Sequence, residues 1–150
     1  MSLLRTSAFL SYAHLDDAFK NALLGHLKPL KGQIDIWSDE QIGVGQDWEI
    51  EIRSAMDRTR MAICLVSPDF LASDFITDVE LPYFVQKAEA KELVLFWVPI
   101  RASVYEFTVL AKYQAAWDPR RPIDSMERPQ QDSAWVSIAT KMLKSWHTAP

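Results

Sequence analysis

The sequence predicts an α/β fold in which a doubly wound parallel sheet carries helices on both faces. Residues 61–66 form a short, continuous apolar run that is partly β-branched, which is typical of a strand buried on both sides. Residues 93–100 form a second such run. Strand patterns alternate with amphipathic helical patterns, which favours parallel strands joined by right-handed crossovers.

Length and composition narrow the class of protein. A chain of 150 residues with 49% hydrophobic and 24% charged residues can bury one sizeable core, so we expect residues 1–150 to form a single domain, either alone or cut from a longer multidomain protein. The net charge of −4 argues against a nucleic-acid partner. No apolar run approaches the about 20 residues that span a bilayer, and we expect no membrane partner and no signal peptide. The single cysteine, Cys64, indicates an inert core thiol in a cytoplasmic protein.

The first half of the chain predicts two strands and two helices. A strand lies within residues 3–12, and a helix follows whose apolar positions recur at i, i+3, i+4 and i+8 from Phe19 to Leu27. Residues 34–37 form a short strand, and residues 38–46 form a polar, mobile loop with two glycines. Asp47 is a suitable N-cap for the next helix.

The second half adds three strands and three helices. The central strand at residues 61–66 leads through a polar loop to a helix that starts near Thr77 or Asp78. A strand at 93–100, a short helix at 104–112, an edge strand at 113–117 and a surface loop at 118–131 follow. The last helix has one apolar face, formed by Trp135, Ile138, Ala139, Met142, Leu143 and Trp146. The result is a flavodoxin-like sheet of five parallel strands in the order 2-1-3-4-5.

Glu80 is the first candidate for chemistry, because it lies just beyond the carboxyl end of the central strand, where open α/β sheets bind ligands. A helix that starts near Asp78 tolerates Pro82 in its first turn and places Glu80 at its positive end, which favours the ionised carboxylate. The alternative is a helix kinked at Pro82. On the sequence alone, Glu80 is equally compatible with a solvated residue at a helix start.

Three segments in the same order resemble Toll/interleukin receptor (TIR) domains, most closely the bacterial members. Residues 9–12 (Phe-Leu-Ser-Tyr) with Asp16 resemble the first box of the family, and residues 37–52 resemble its second box and long loop. Residues 67–70 (Ser-Pro-Asp-Phe) leading to Glu80 resemble the segment that holds the catalytic glutamate. Many relatives place Trp-Cys shortly before that glutamate, whereas this chain has Ile76 and Thr77, which leaves Asp78 as the second candidate.

The resemblance implies an NAD⁺ glycohydrolase that releases nicotinamide and gives ADP-ribose or a cyclic product, in bacterial defence or virulence. NAD⁺ is then the substrate, and no cofactor is expected. A carboxylate suits the oxocarbenium-like transition state of this cleavage, which assigns Glu80 as the catalytic residue. The implied substrate-binding residues are Phe9, Ser11, Tyr12, Trp37 and Ser67. The implied loop or assembly residues, through which TIR domains would self-associate, are Asp39, Ile42, Gly43, Gly45 and Trp48.

Other interpretations remain open or are excluded by the residues. The resemblance also allows a non-catalytic TIR interaction module, and Trp37 fits core packing as well as substrate contact. A response-regulator receiver is excluded, because it needs acidic residues where this chain has Ser11 and Ser67. His14 with its neighbouring aspartates lacks metal-ligand spacing, so we expect no metal. Gly43 and Gly45 lack the third glycine of a dinucleotide fingerprint.

Overall fold

The computed structural model describes residues 4–150 and contains a parallel sheet with the strand order β2-β1-β3-β4. The strands are β1 (Ser7–Ser11), β2 (Ile36–Trp37), β3 (Thr59–Val66) and β4 (Val94–Pro99). The helices are α1 (Asp17–Leu27), α2 (Trp48–Asp57), α3 (Pro68–Ala72), α4 (Leu81–Glu89) and α5 (Arg128–Thr148). A short π-helix, Ile76–Glu80, precedes α4 directly. The predicted doubly wound parallel sheet is confirmed.

The sheet separates two hydrophobic cores because alternate strand residues point to opposite faces. On one face, Leu10 and Ile63 belong to a core that also contains residues of α1 and α5. On the other face, Phe9 and Cys64 pack with residues of α2 and α4. Helices therefore cover both faces, and the central strands β1 and β3 are buried on both sides.

The predicted fifth strand is the main correction to the fold. Within the described residues, the segment at 113–117 joins the sheet only through one parallel bridge, Trp97 to Ala115, and one bond from Ala116 N to Trp97 O of 2.8 Å. The carbonyl of Tyr113 accepts a bond of 2.9 Å from the indole N–H of Trp97 instead of a strand partner. A turn closed by Arg121 N to Asp118 O follows. The side-chain contact before the bridge and the turn after it limit the pairing of this segment to one bridge.

Several predicted boundaries also differ. Residues 68–72 form α3 within the segment predicted as a loop, and Ser67 caps it by accepting a bond of 3.0 Å from Phe70 N. The predicted helix at 104–112 is two 3-10 turns, Tyr105–Phe107 and Val109–Lys112. The first strand starts at Ser7, and residue 3 of its predicted range lies outside the described residues.

Candidate active site

Glu80 lies under the carboxyl end of β1, where its side chain meets Ser11. The hydroxyl of Ser11, the last residue of β1, donates a hydrogen bond of 2.6 Å to Glu80 Oε1. Glu80 is only 7% exposed. A buried carboxyl group that faces the carboxyl edge of a parallel sheet is placed as a functional group is in this class of fold. Asp78, the second candidate, is exposed and does not line the same cavity.

The helix that carries Glu80 begins earlier than predicted. It is helical from residue 74, and Thr77 N bonds to Ser73 O at 2.9 Å, so Glu80 lies in the second turn and not the first. Pro82 has no N–H and its ring crowds the carbonyl one turn earlier, which a wider π turn relieves. The π turn at Ile76–Glu80 therefore accommodates Pro82 without breaking the helix.

The environment of Glu80 disfavours the charged carboxylate. Burial is the main cause that raises the pKa of Glu80, from 4.5 to about 7, while the Ser11 hydrogen bond lowers this pKa and the negative charge of Asp39 raises it further. The stabilisation of the ionised form expected for a helix that starts near Asp78 does not apply, because the helix starts at residue 74 and burial dominates the pKa of Glu80. Near neutral pH both protonation states are substantially populated, which is common for carboxyl groups at functional sites.

An aromatic wall and the Glu80 carboxyl group enclose one small cavity. Phe9 and Trp37 stack with ring centroids 4.9 Å apart and planes inclined by 30°. The cavity has a volume of about 20 Å³ and is lined by Phe9, Leu10, Ser11, Tyr12, Trp37, Asp39, Ile52 and Glu80. Sites for drug-sized ligands have roughly 300–1,000 Å³, so this cavity must open before a nucleotide can reach Glu80. Trp37 is 9% exposed, and its side chain both packs in the core and lines the cavity.

Polar contacts join Asp39 of the cavity lining to Tyr12 and His14. The phenol of Tyr12 donates a hydrogen bond of 2.9 Å to Asp39 Oδ1, and His14 Nε2 lies 3.3 Å from Asp39 Oδ2. Burial, then the bond to Asp39, raises the pKa of Tyr12 well above its usual range. Asp39 therefore lines the cavity and contacts both Tyr12 and His14, a position that its prediction as an assembly residue did not include.

Ser67 belongs to a separate cluster at the same sheet edge. Its hydroxyl donates to Asp16 Oδ2 and accepts from the first turn of α3, and it does not line the Glu80 cavity. Arg101 completes the cluster, because its Nη1 lies 3.3 Å from Asp16 Oδ1 and 2.6 Å from Asp69 Oδ2. The geometry gives Ser67 a capping role and offers no direct support for its predicted contact with substrate.

The loop after β2 exposes apolar surface. It starts with the 3-10 turn Asp39–Gln41, and Gly45 adopts φ of +86°, a conformation that favours glycine. Val44 is fully exposed and Trp48 is about half exposed. The ring of Trp48 packs against that of Phe75, with the ring centroids 4.7 Å apart. Of the other assembly candidates, Ile42 packs on the core, whereas Gly43 is exposed. Val44, Trp48 and Ile50 are thus exposed apolar residues in this loop and at the start of α2.

Some site residues escaped the sequence analysis. Lys20 is buried beside Tyr12, with Nζ 5.4 Å from the ring centroid, and a usable signal existed, because Lys20, Leu23 and Leu27 share one face of α1. Leu10 and Ile52 line the cavity without any signal that separates them from other core residues. Among residues 4–150, no group of three or more histidines, cysteines and acids could hold a metal ion. In the same residues, no helix has the length and apolar character needed to cross a membrane.

Comparison with known proteins assigns the fold and a family. A family profile described as TIR domain matches residues 8–136. The uncharacterized protein y4lF of Sinorhizobium fredii is 30% identical over 135 residues, which cover 89% of this chain and 41% of that protein. The chain therefore spans about two fifths of the length of this curated relative.

Two solved structures share the fold at low sequence identity. The TIR domain of the Toll-related receptor TRR-2 from Hydra magnipapillata gives a TM-score of 0.55 at 16% identity, covering 71% of this chain and 78% of its own. The TIR domains of the activated Roq1 resistosome, which directly recognizes the pathogen effector XopQ, give a TM-score of 0.55 at 17% identity, covering 90% and 84%. At such identities these likenesses concern the fold alone.

Proposed function

This chain belongs to the TIR domain family, and on that premise we propose that it is an NAD⁺ glycohydrolase that cleaves the bond between nicotinamide and ribose. The observation that carries the proposal is the buried Glu80 carboxyl group, hydrogen-bonded to Ser11 at the carboxyl edge of the sheet. Core packing does not explain a carboxyl group at this place, because buried carboxyl groups without a neighbouring cation are rare.

The chemistry needs one stabilising carboxylate. Nicotinamide leaves with the electron pair of the bond to ribose C1′, which neutralises its ring and leaves oxocarbenium character on the sugar. Water adds to C1′ and loses a proton to give ADP-ribose, or a nucleophile of the same molecule adds to give a cyclic product. An ionised Glu80 beside the sugar would stabilise the developing positive charge, and its effect is strong because the surroundings exclude water.

The closed cavity shapes this proposal. A volume of about 20 Å³ does not admit the nicotinamide and ribose groups, so the free domain is expected to be weakly active. We infer that head-to-tail contacts through the loop after β2 help to complete the site between two copies. Such heterologous contacts can extend into filaments. The exposed Val44 and Trp48 support this role for the loop.

A second candidate function is a TIR interaction module without catalysis. The same two observations favour it, because a cavity this small binds no nucleotide as it stands and the loop offers apolar surface for a protein partner. In either case we propose a cytoplasmic protein of bacterial defence or virulence, joined to a sensor or oligomerising domain as the greater length of y4lF allows.

Nicotinamide release by the purified chain separates the two functions. We expect the specific activity on NAD⁺ to rise with protein concentration, or with a crowding agent, because assembly opens and completes the site. No release at any concentration from a folded, assembling chain would favour the interaction module. Full turnover in a proven monomer, with a specific activity that stays flat on dilution, would rule out the composite site.

A further inference from the structure

A fully buried lysine ties the turn after β2 to helix α1. The side chain of Lys20 is 0% exposed, whereas those of its partners Asp17 and Glu40 are each 53% exposed. Lys20 Nζ lies 2.9 Å from Asp17 Oδ1 and contacts Glu40 Oε1 directly. Lysine is almost never fully buried unless it is paired, so these two contacts account for its position.

The neighbouring residue of the same turn is tied as well. Asp39 accepts the Tyr12 hydrogen bond and lies beside His14, while Glu40 holds Lys20. All three of these partners come from one short stretch of chain that runs from the end of β1 into α1. The turn Asp39–Gln41 is thus fixed to that stretch at two consecutive residues.

After Ile42, which packs on the core, the tip of the loop is closed by its own contacts. Gln46 contacts Gly43 twice, once through its own backbone N–H at 3.1 Å to Gly43 O and once through its side chain. Val44 at the tip is fully exposed. The loop is therefore anchored at Asp39, Glu40 and Ile42 and has a locally closed tip, so loss of the contacts at Asp39 and Glu40 would loosen the turn that carries the tip.

The turn after β2 is the part of the cavity wall that lies on a loop. Seven lining residues lie on strands, on helices or directly at the end of β1, and five of them belong to the two hydrophobic cores. Asp39 is the lining residue on the loop. Entry of a nucleotide into a cavity of about 20 Å³ thus requires displacement of Asp39 and its turn.

We propose that Lys20 is a positioning residue whose ion pair with Glu40 latches the turn Asp39–Gln41 closed over the Glu80 cavity, so that NAD⁺ enters only the unlatched fraction of molecules. The role of NAD⁺ rests on the proposed function, whereas the latch itself does not. When the binding-competent state is a minor fraction, the apparent affinity falls by that fraction. Weakening the latch therefore lowers KM and leaves kcat unchanged, because the groups that act on the bound substrate stay in place.

Glu40→Gln is the first test, because it removes one ion pair and leaves Lys20 its contact with Asp17. We expect backbone amides of residues 39–46 to exchange with deuterium about tenfold faster, a typical effect of losing a charged hydrogen bond. In the same variant KM for NAD⁺ should fall by about the same factor at a fixed protein concentration. Glu89→Gln is the matched control, because Glu89 is 58% exposed and lies 3.1 Å from Lys112, far along the chain from this loop.

Lys20→Met is the second variant, since methionine fills the buried space without charge. Combining it with Glu40→Gln should add nothing, because both changes remove the same contact. Exchange at residues 39–46 that stays at the rate of Glu89→Gln overturns the latch. Faster exchange with an unchanged or higher KM overturns its effect on substrate entry. Faster exchange in a chain that never cleaves NAD⁺ supports the latch and removes the proposed function instead.

Discussion

Two buried acids at the carboxyl edge of the sheet each meet a serine hydroxyl, and they differ in the charge beside them. Asp16 is 1% exposed, accepts from Ser67 and lies 3.3 Å from Arg101. Glu80 is 7% exposed and accepts from Ser11, and no cation among the described residues lies within ion-pair distance of it. A buried charge with a partner is tolerated, whereas one without a partner is costly and fits a group kept for chemistry.

The largest effect should come from removing the uncompensated acid. Glu80→Gln keeps the volume and can still accept the Ser11 hydrogen bond, but it removes the charge that faces the sugar. We expect nicotinamide release to fall by about 10²–10³, the usual loss when one preorganised electrostatic group is removed. Glu89→Gln controls for the loss of a carboxylate. Activity within a few-fold of the wild type would exclude Glu80 from the mechanism.

The same substitution should raise the stability of the fold at high pH. The pKa of Glu80 is about 7 in the folded chain and 4.5 ordinarily, so the folded chain binds more protons between these values. The contribution of Glu80 to stability is therefore fully present below pH 4.5 and is lost as the pH rises through about 7. Well above pH 7, Glu80→Gln should exceed the wild type by about 3 kcal/mol in the free energy of unfolding, and the difference should vanish near pH 4. Urea titrations across that range measure it, and equal stabilities at pH 8 would contradict the raised pKa.

The two serines give a smaller, paired test. Ser67→Ala removes a helix cap and a hydrogen bond to a buried carboxylate, and we expect a loss of about 2 kcal/mol in stability with KM unchanged. Ser11→Ala should cost less, because the Glu80 carboxyl can take up a proton instead. It should also move the rise of activity with pH upward, since the Ser11 bond lowers the pKa of Glu80. A higher KM for Ser67→Ala would restore the predicted substrate contact of Ser67.

The smallest effect should come from a change at Gly45, in the loop after β2, which lies away from both Asp16 and Glu80. Gly45→Val forces a β-branched side chain into φ of +86° and distorts the loop without reaching the core. We expect the rise of specific activity with concentration to weaken a few-fold while the melting temperature changes little. Gly32→Val is the control, because that glycine has open space and no positive φ. An equal loss in both variants would mean that the Gly45 loop has no specific part in assembly.

The sequence predicts the sheet and the region of the site better than it predicts their details. Apolar runs locate β3 and β4, and the family boxes bring Phe9, Ser11, Trp37 and Glu80 to one cavity. Periodicity does not reveal a single bridge in place of a fifth strand, because the Trp97 indole that occupies a backbone carbonyl is a tertiary contact. The charge state of Glu80 escaped for the same reason, since burial depends on packing from several elements.

The π turn Ile76–Glu80, which precedes α4, has a consequence for sequence alignment and for the inheritance of the site. A π turn is equivalent to one residue inserted into a regular helix, and each residue of an α-helix turns the chain by about 100°. Deleting one residue from the Ile76–Glu80 segment would restore the regular helix and rotate the carboxyl group away from β1, while α4 kept its contacts with the sheet. The position of the acid therefore depends on a single codon. An ungapped alignment with a relative that has a regular helix here would be wrong by one column on one side of it, and Ile76 and Thr77, where this chain departs from the family pattern, lie inside that segment.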